Sequence, residues 1–262
     1  MSDLLKILSP ESFPIDLAIL GKTINIKPYS HGDVKGFLLL LDDYKKNKKG
    51  GIKKLFQAQQ NLIDACILPD ATGQKPVQAC NLHRADYIHI MTYLKMITHG
   101  EKTEVRFRCS NLDCENEETK QRHIETFDFI WEDVEFVGCE KIDEVSFERQ
   151  DGQTIKIKMK PYTFQVLTDN SDLFEAEMPS VELMSKFQAS FIADIEVGEQ
   201  LFCDLPMSEK SDFITMLEPK YKKFIANWID SEARYVWKKE WICPTCEAKN
   251  ISEMKEVHDF FV

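Results

Sequence analysis

GKTINIKPYS occupies residues 21–30, and GQTIKIKMKPYT occupies residues 152–163. Both run from a glycine through Thr-Ile-polar-Ile-Lys to a Pro-Tyr pair, then to a serine or threonine. TINIK and TIKIKMK alternate polar and apolar side chains, the period that puts one face of a strand in a core and the other in water. Gly21 and Gly152 lie 131 positions apart, half of the 262 residues. That spacing reads as one structural plan used twice.

Downstream of each strand the apolar spacing changes to threes and fours, the helical period. VKGFLLLLDDY, LFQAQQNLIDACIL and ADYIHIMTYLKMITHG follow the first strand, with Gly100 placed to cap the third segment. VELMSKFQASFIADI and SDFITMLEPKYKKFIANWIDSEARYVW follow the second, the latter interrupted near Pro219. Each half then closes with a strand running into a cysteine pair, TEVRFRCSNLDC or YVWKKEWICPTC, and an aromatic strand after it, HIETFDFIW or EVHDFFV. Cys114 and Cys246 are 132 positions apart, nearly the glycine offset. The expected fold is α+β with two similar halves, 1–150 and 151–262, related by a pseudo-two-fold duplication. Each half supplies strands, a helical layer and a cysteine knuckle, with DGQ at 151–153 as the boundary. YKKNKKGGIKK, 44–54, reads as a solvated basic connection between helices.

The formal net charge is −11, and acidic residues are spread along the chain. Binding to nucleic acid draws on a basic footprint that displaces counterions, which this balance does not provide. No apolar run approaches the roughly 20 residues of a membrane span. MSDLLKILSPESFPID lacks the apolar region of a signal peptide, so the expected site of synthesis is the cytosol. There thiols stay reduced. Of the eight cysteines, Cys66, Cys80, Cys139 and Cys203 stand alone and read as buried free thiols.

The other four are paired. CPTC, 243–246, has the two-residue spacing with which a tight knuckle offers two thiolates to zinc, and CSNLDC, 109–114, has four intervening residues. A closed tetrahedral site needs four ligands, and no histidine lies within a few residues of either pair. His123 and His258 are more distant substitutes. The economical arrangement is one structural zinc shared by Cys109, Cys114, Cys243 and Cys246. A zinc deaminase would place a proline before its Cys-x-x-Cys and use a His-x-Glu. His123-Ile124-Glu125 meets the second requirement, but Pro244 lies inside the knuckle, and Cys109 and Cys114 would have no role. No G-x-S-x-G, Walker A, dinucleotide glycine pattern or His-Glu-x-x-His occurs, so the chain is expected not to be an enzyme. Trp228, Tyr235, Trp237, Trp241, Phe260 and Phe261 are candidates for docking onto other subunits, though the alternation at 235, 237 and 241 fits a core equally.

FPIDLAILGKTINIKPYSHGD, ADYIHIMTYLKMITHGEKTEVRFRCSNLDC and the end WICPTCEAKN…DFFV together resemble the baseplate hub proteins of T-even-like contractile-tailed phages. The resemblance touches every part of the chain and is thinnest between residues 164 and 233. It implies a non-enzymatic role in tail construction, as a hub component or as a factor that assembles the hub. It implies other phage tail and hub proteins as partners, and no small-molecule substrate, nucleic acid or membrane. Location would be the host cytoplasm during assembly and the virion tail. Among the family's features only the knuckle cysteines carry over, and CSNLDC is longer than the usual spacing. The competing class is a zinc-ribbon regulator that binds nucleic acid.

Overall fold

In a computed structural model, residues 11–46, 51–100, 103–114, 121–138, 143–149, 152–176 and 179–254 are described. Residues 47–50 of the basic stretch 44–54, together with Cys139, His258, Phe260, Phe261 and the expected strand EVHDFFV, lie outside what is described.

The opening strand motif is a hairpin. β1 (Phe13–Leu17) pairs antiparallel with β2 (Lys22–Ile26), Ile15 opposite Ile24. Ile15, Leu17, Ile24 and Ile26 are buried and their neighbours are not, as the alternation requires. Gly21 turns the chain at φ +65°, a conformation that costs other residues energy. α1 (His31–Lys46) starts at a reciprocal cap in which Ser30 N–H donates to the Asp33 carboxylate and Asp33 N–H donates to Ser30 Oγ. α2 (Ile52–Cys66) buries Ile52, Leu55, Phe56, Gln59, Leu62, Ile63 and Cys66, one stripe at helical spacing. The chain leaving α2 rejoins the hairpin, where Leu68 N–H donates to Asn25 O. α3 (Arg84–His99) is capped at its start by the His83 ring, which accepts the Ala85 N–H, and at its end by Gly100 at φ +96°.

β3 (Thr103–Arg108) and β4 (Ile124–Phe129) form a second hairpin, and β5 (Val134–Val137) follows. β6 (Glu144–Glu148) and β7 (Thr154–Met159) repeat the opening arrangement, with Gly152 at φ +80° in the turn and Ile155 and Ile157 buried where Ile24 and Ile26 are. α4 (Phe164–Asp169) and α5 (Ser171–Glu175), which no sequence signal marked, precede α6 (Val181–Ala189). The helix expected through FIADI stops at Ala189, and β8 (Ile192–Val197) takes its place, pairing with β7 and with β9 (Gln200–Phe202). Ile192, Ile195 and Val197 are β-branched and suit the central position of a sheet. The result is a four-stranded sheet ordered β6-β7-β8-β9. α7 (Met207–Met216) and α8 (Pro219–Ser231) are separated at Pro219, which opens α8 where its missing N–H costs nothing. β10 (Arg234–Ile242) and β11 (Lys249–Met254) end the described chain and form a three-stranded sheet ordered β11-β10-β5.

The order hairpin, helices, knuckle hairpin thus occurs twice, while β8 and β9 occur only in the second stretch. The strand returning from the second knuckle is KNISEM, which follows the cysteines directly. One hydrophobic cluster draws on both stretches. Within it Tyr87 stacks on Phe164 at 3.6 Å, and Phe56 meets Phe164 edge-on at 5.4 Å. Arg84 N–H donates to Tyr162 O, Phe164 N–H donates to Leu82 O, and the buried His83 ring lies 2.6 Å from the Glu232 carboxylate. Of the lone cysteines, Cys66 is buried and its thiol is pushed up to about 11, first by burial. Cys80 is half-buried and Cys203 is exposed, so the reading of all these thiols as buried fails at Cys203.

His89 supplies a pH dependence. Its ring stacks on Trp131 at 4.7 Å, and the Tyr235 hydroxyl lies 3.3 Å from Nδ1. Burial lowers its pKa to about 4 from the ordinary 6.5, opposed by Asp16. As pH falls the unfolded chain takes this proton first, so stability present above about pH 6.5 is lost progressively toward pH 4. Urea unfolding at pH 7 and pH 5 is expected to differ by about 1–2 kcal/mol from this residue, and His89→Gln is expected to remove that part of the slope.

Candidate metal centre

The two knuckle hairpins pack face to face. Trp237 contacts Phe107 at 5.8 Å and Phe129 at 5.5 Å, and Trp241 meets Phe127 at 5.9 Å. Tyr235, Trp237 and Trp241 are all buried, so these aromatics serve the interior and not a docking surface, while Trp228 is half-buried.

At one end of this packing the strands run into the cysteines. Cys109 N–H donates across its hairpin to His123 O at 2.8 Å, and Cys243 N–H donates across the other to Ala248 O at 2.9 Å. The short knuckle closes when Glu247 N–H donates to Cys243 O, with Glu247 at φ +57°. The longer one folds its extra residues over Asn111, whose carbonyl accepts the Cys114 N–H and whose side chain accepts the Asp113 N–H. The additional spacing in CSNLDC is therefore absorbed by a turn.

The four sulfurs lie within 4.8 Å of one another, the one such group of metal-capable side chains among the described residues. Cys109 Sγ is 3.7 Å from Cys246 Sγ, and Cys114 Sγ is 3.5 Å from Cys243 Sγ. The first cysteine of each knuckle meets the second of the other, the pairing that a local two-fold axis would generate. Zinc–sulfur bonds of about 2.3 Å in a tetrahedron put sulfurs about 3.8 Å apart, so the donor set fits zinc in kind, number and spacing. Cys109, Cys114 and Cys243 are buried and Cys246 is half-buried.

The electrostatics of the four thiols are uneven: burial raises Cys109, while at Cys243 burial is outweighed by backbone N–H groups, which lower it. The Ala248 N–H lowers the Cys246 thiol to about 7. Cys114, despite the His123 N–H, is pushed up to about 12 by burial and by the adjoining sulfurs. Neighbouring thiolates repel in a desolvated place, and a bound dication is what allows all of them to ionise.

His123 is not among the clustered donors. Its Nε2 lies 2.8 Å from Glu125, and its ring centroid is 6.2 Å from that of Trp241. The His-x-Glu run is thus engaged with itself beside the cluster. Asn250 is the residue that sequence reasoning missed. It is buried, its Oδ1 accepts both the N–H and the Oγ–H of Ser110 at 2.8 Å, and its Nδ2 donates to Ala248 O at 2.9 Å. It ties the first knuckle to the second hairpin. An asparagine four residues beyond a cysteine carries no local signal for that task.

These features define a class: a mixed α+β protein with a buried four-cysteine centre between two hairpins, and, among the described residues, no helix long and apolar enough to cross a membrane. The chain belongs to the T4 bacteriophage base plate protein family, whose model matches residues 11–262. No curated protein and no solved structure matches it in comparison. It is a bacteriophage baseplate protein, and the family's membership in the tail implies contacts with other tail proteins.

Proposed function

We propose that this chain is a non-enzymatic baseplate hub component or hub assembly factor that works through protein–protein contacts. One structural zinc, held by Cys109, Cys114, Cys243 and Cys246, clasps its two knuckle hairpins. The family match over residues 11–262 carries the tail assignment. The four converging sulfurs support the metal, because four protein ligands leave no open position for water or substrate. We read residues 1–150 and 151–262 as two repeats of one plan, supported by the recurring hairpins, the paired Gly21 and Gly152 turns and the crossed sulfur contacts. The chain acts in the host cytoplasm during assembly and, as a hub component, in the virion tail.

Purified protein is expected to hold one zinc per chain by elemental mass spectrometry, and Cys114→Ser or Cys243→Ser to lose it. Deleting the gene from a phage that encodes this chain is expected to abolish complete baseplates. Peptide counting in purified virions then separates the two hub roles, since a component persists in the tail and an assembly factor does not. Intact baseplates after deletion would overturn the reading.

A further inference from the structure

The outer face of α1 has the composition of an interface. At 3.6 residues per turn, Val34, Phe37, Leu40 and Leu41 share one side of the helix, and all four are half-buried. His31, Gly32, Lys35, Gly36, Leu38, Leu39, Asp42 and Asp43 fall on the other side and are exposed. A surface helix ordinarily makes that second side polar. Here its centre is Leu38, 47% exposed, and Leu39, 62% exposed. A Cβ placed on Gly36 would meet nothing within 4 Å, so no side chain there obstructs an approaching helix.

The charges flanking the leucines choose the occupant. Lys35 lies one turn before them, and Asp42 and Asp43 lie one turn after. The face reads cation, leucine pair, anion, and it is complementary to itself when reversed. We infer that α1 is a self-association surface on which a second copy of this chain docks antiparallel, about a two-fold axis between Leu38 and Leu39. Lys35 of one copy then faces Asp42 and Asp43 of the other, while the leucines cover each other. Residues equidistant from the centre become neighbours across the axis. A parallel pairing would instead set lysine on lysine and aspartate on aspartate. One helix pair buries less than the roughly 800 Å² per partner of a standard interface, so the contact is weak and concentration-dependent. It requires neither the metal nor the hub assignment.

Cysteine cross-linking tests this geometry in the full chain, with Cys80, Cys139 and Cys203 changed to serine to lower the background from native thiols. Under mild oxidation Leu39→Cys is expected to give a covalent dimer. Lys35→Cys mixed with Asp42→Cys is expected to do the same. Lys35→Cys alone is expected to give several-fold less, because its two copies stand about 10 Å apart along the helix axes. Sedimentation at 0.15 M salt, where the Debye length of about 8 Å screens the net negative bodies but not contact pairs, is expected to show dimer at high concentration. Leu39→Glu should abolish it. Lys35→Glu should weaken it, and the combined Lys35→Glu, Asp42→Lys, Asp43→Lys chain should recover it. Equal cross-linking of Lys35→Cys with itself, or none at any of these positions, would overturn the proposal. So would Leu39→Cys linking another tail protein in infected cells with no covalent dimer of this chain.

Discussion

Stripping the proposed zinc with a strong chelator is expected to lower the midpoint of thermal unfolding by more than about 10 °C. Cross-linking residues 109–114 to 243–246 constrains a loop of well over a hundred residues, and holding the chain ends of so long a loop together removes unfolded-state entropy. Zinc binding to structural sites contributes apparent free energies of about 10–16 kcal/mol, comparable to the roughly 5–15 kcal/mol by which a domain is stable. Each kcal/mol moves the midpoint of a domain this size by about 2–4 °C, so losing even a third of the binding energy gives a large shift. Because Cys109 meets Cys246 and Cys114 meets Cys243, removing any one sulfur leaves its opposite number without a partner. Cys114→Ser and Cys243→Ser should therefore lower the midpoint alike. A chelator should then have little further effect on either variant. An unchanged midpoint after verified metal removal would rule out the clasp.

Trp237→Ala is expected to cost about 3–5 kcal/mol, the range for truncating a buried large aromatic, and to lower the midpoint by roughly 6–20 °C. Trp237 is fully buried between the two knuckle hairpins, against Phe107 and Phe129. Its loss opens a cavity where the sheets that present the cysteines press together, so zinc affinity is expected to fall in the same variant. Trp237→Phe separates the contributions. The indole Nε1 has no hydrogen-bond partner among the described residues, so phenylalanine keeps most of the packing while removing a buried orphan donor. Thermal unfolding and zinc titration on both variants should show Trp237→Phe much nearer the parent. Equal losses would mean that the indole makes a bond not seen here.

The contrast between these residues and the opening strand motif shows where sequence reasoning has force. The alternation in TINIK and TIKIK, the turn glycines, the Gly100 cap and the break at Pro219 were all legible. Each depends on a residue's own backbone preference or on a period repeated within a few positions. The two cysteine pairs were legible as a set, because a closed tetrahedral site takes four ligands and each knuckle offers two.

Other features depend on which distant segment arrives alongside, and local pattern does not encode that. Ile192–Val197 is strand because it lies between β7 and β9; in isolation its continuity with VELMSKFQA reads as helix. Trp237 and Trp241 are interior because the β3–β4 hairpin covers them. Asn250 joins the knuckles because its amide offers acceptor and donor at once where Ser110 and Ala248 converge. The sequence by itself determined the short-range elements and the two cysteine pairs. The tertiary structure alone decided which sulfur faces which, what shields them, and which apolar side chains remain in water, since packing energies are summed over neighbours that lie far apart along the chain.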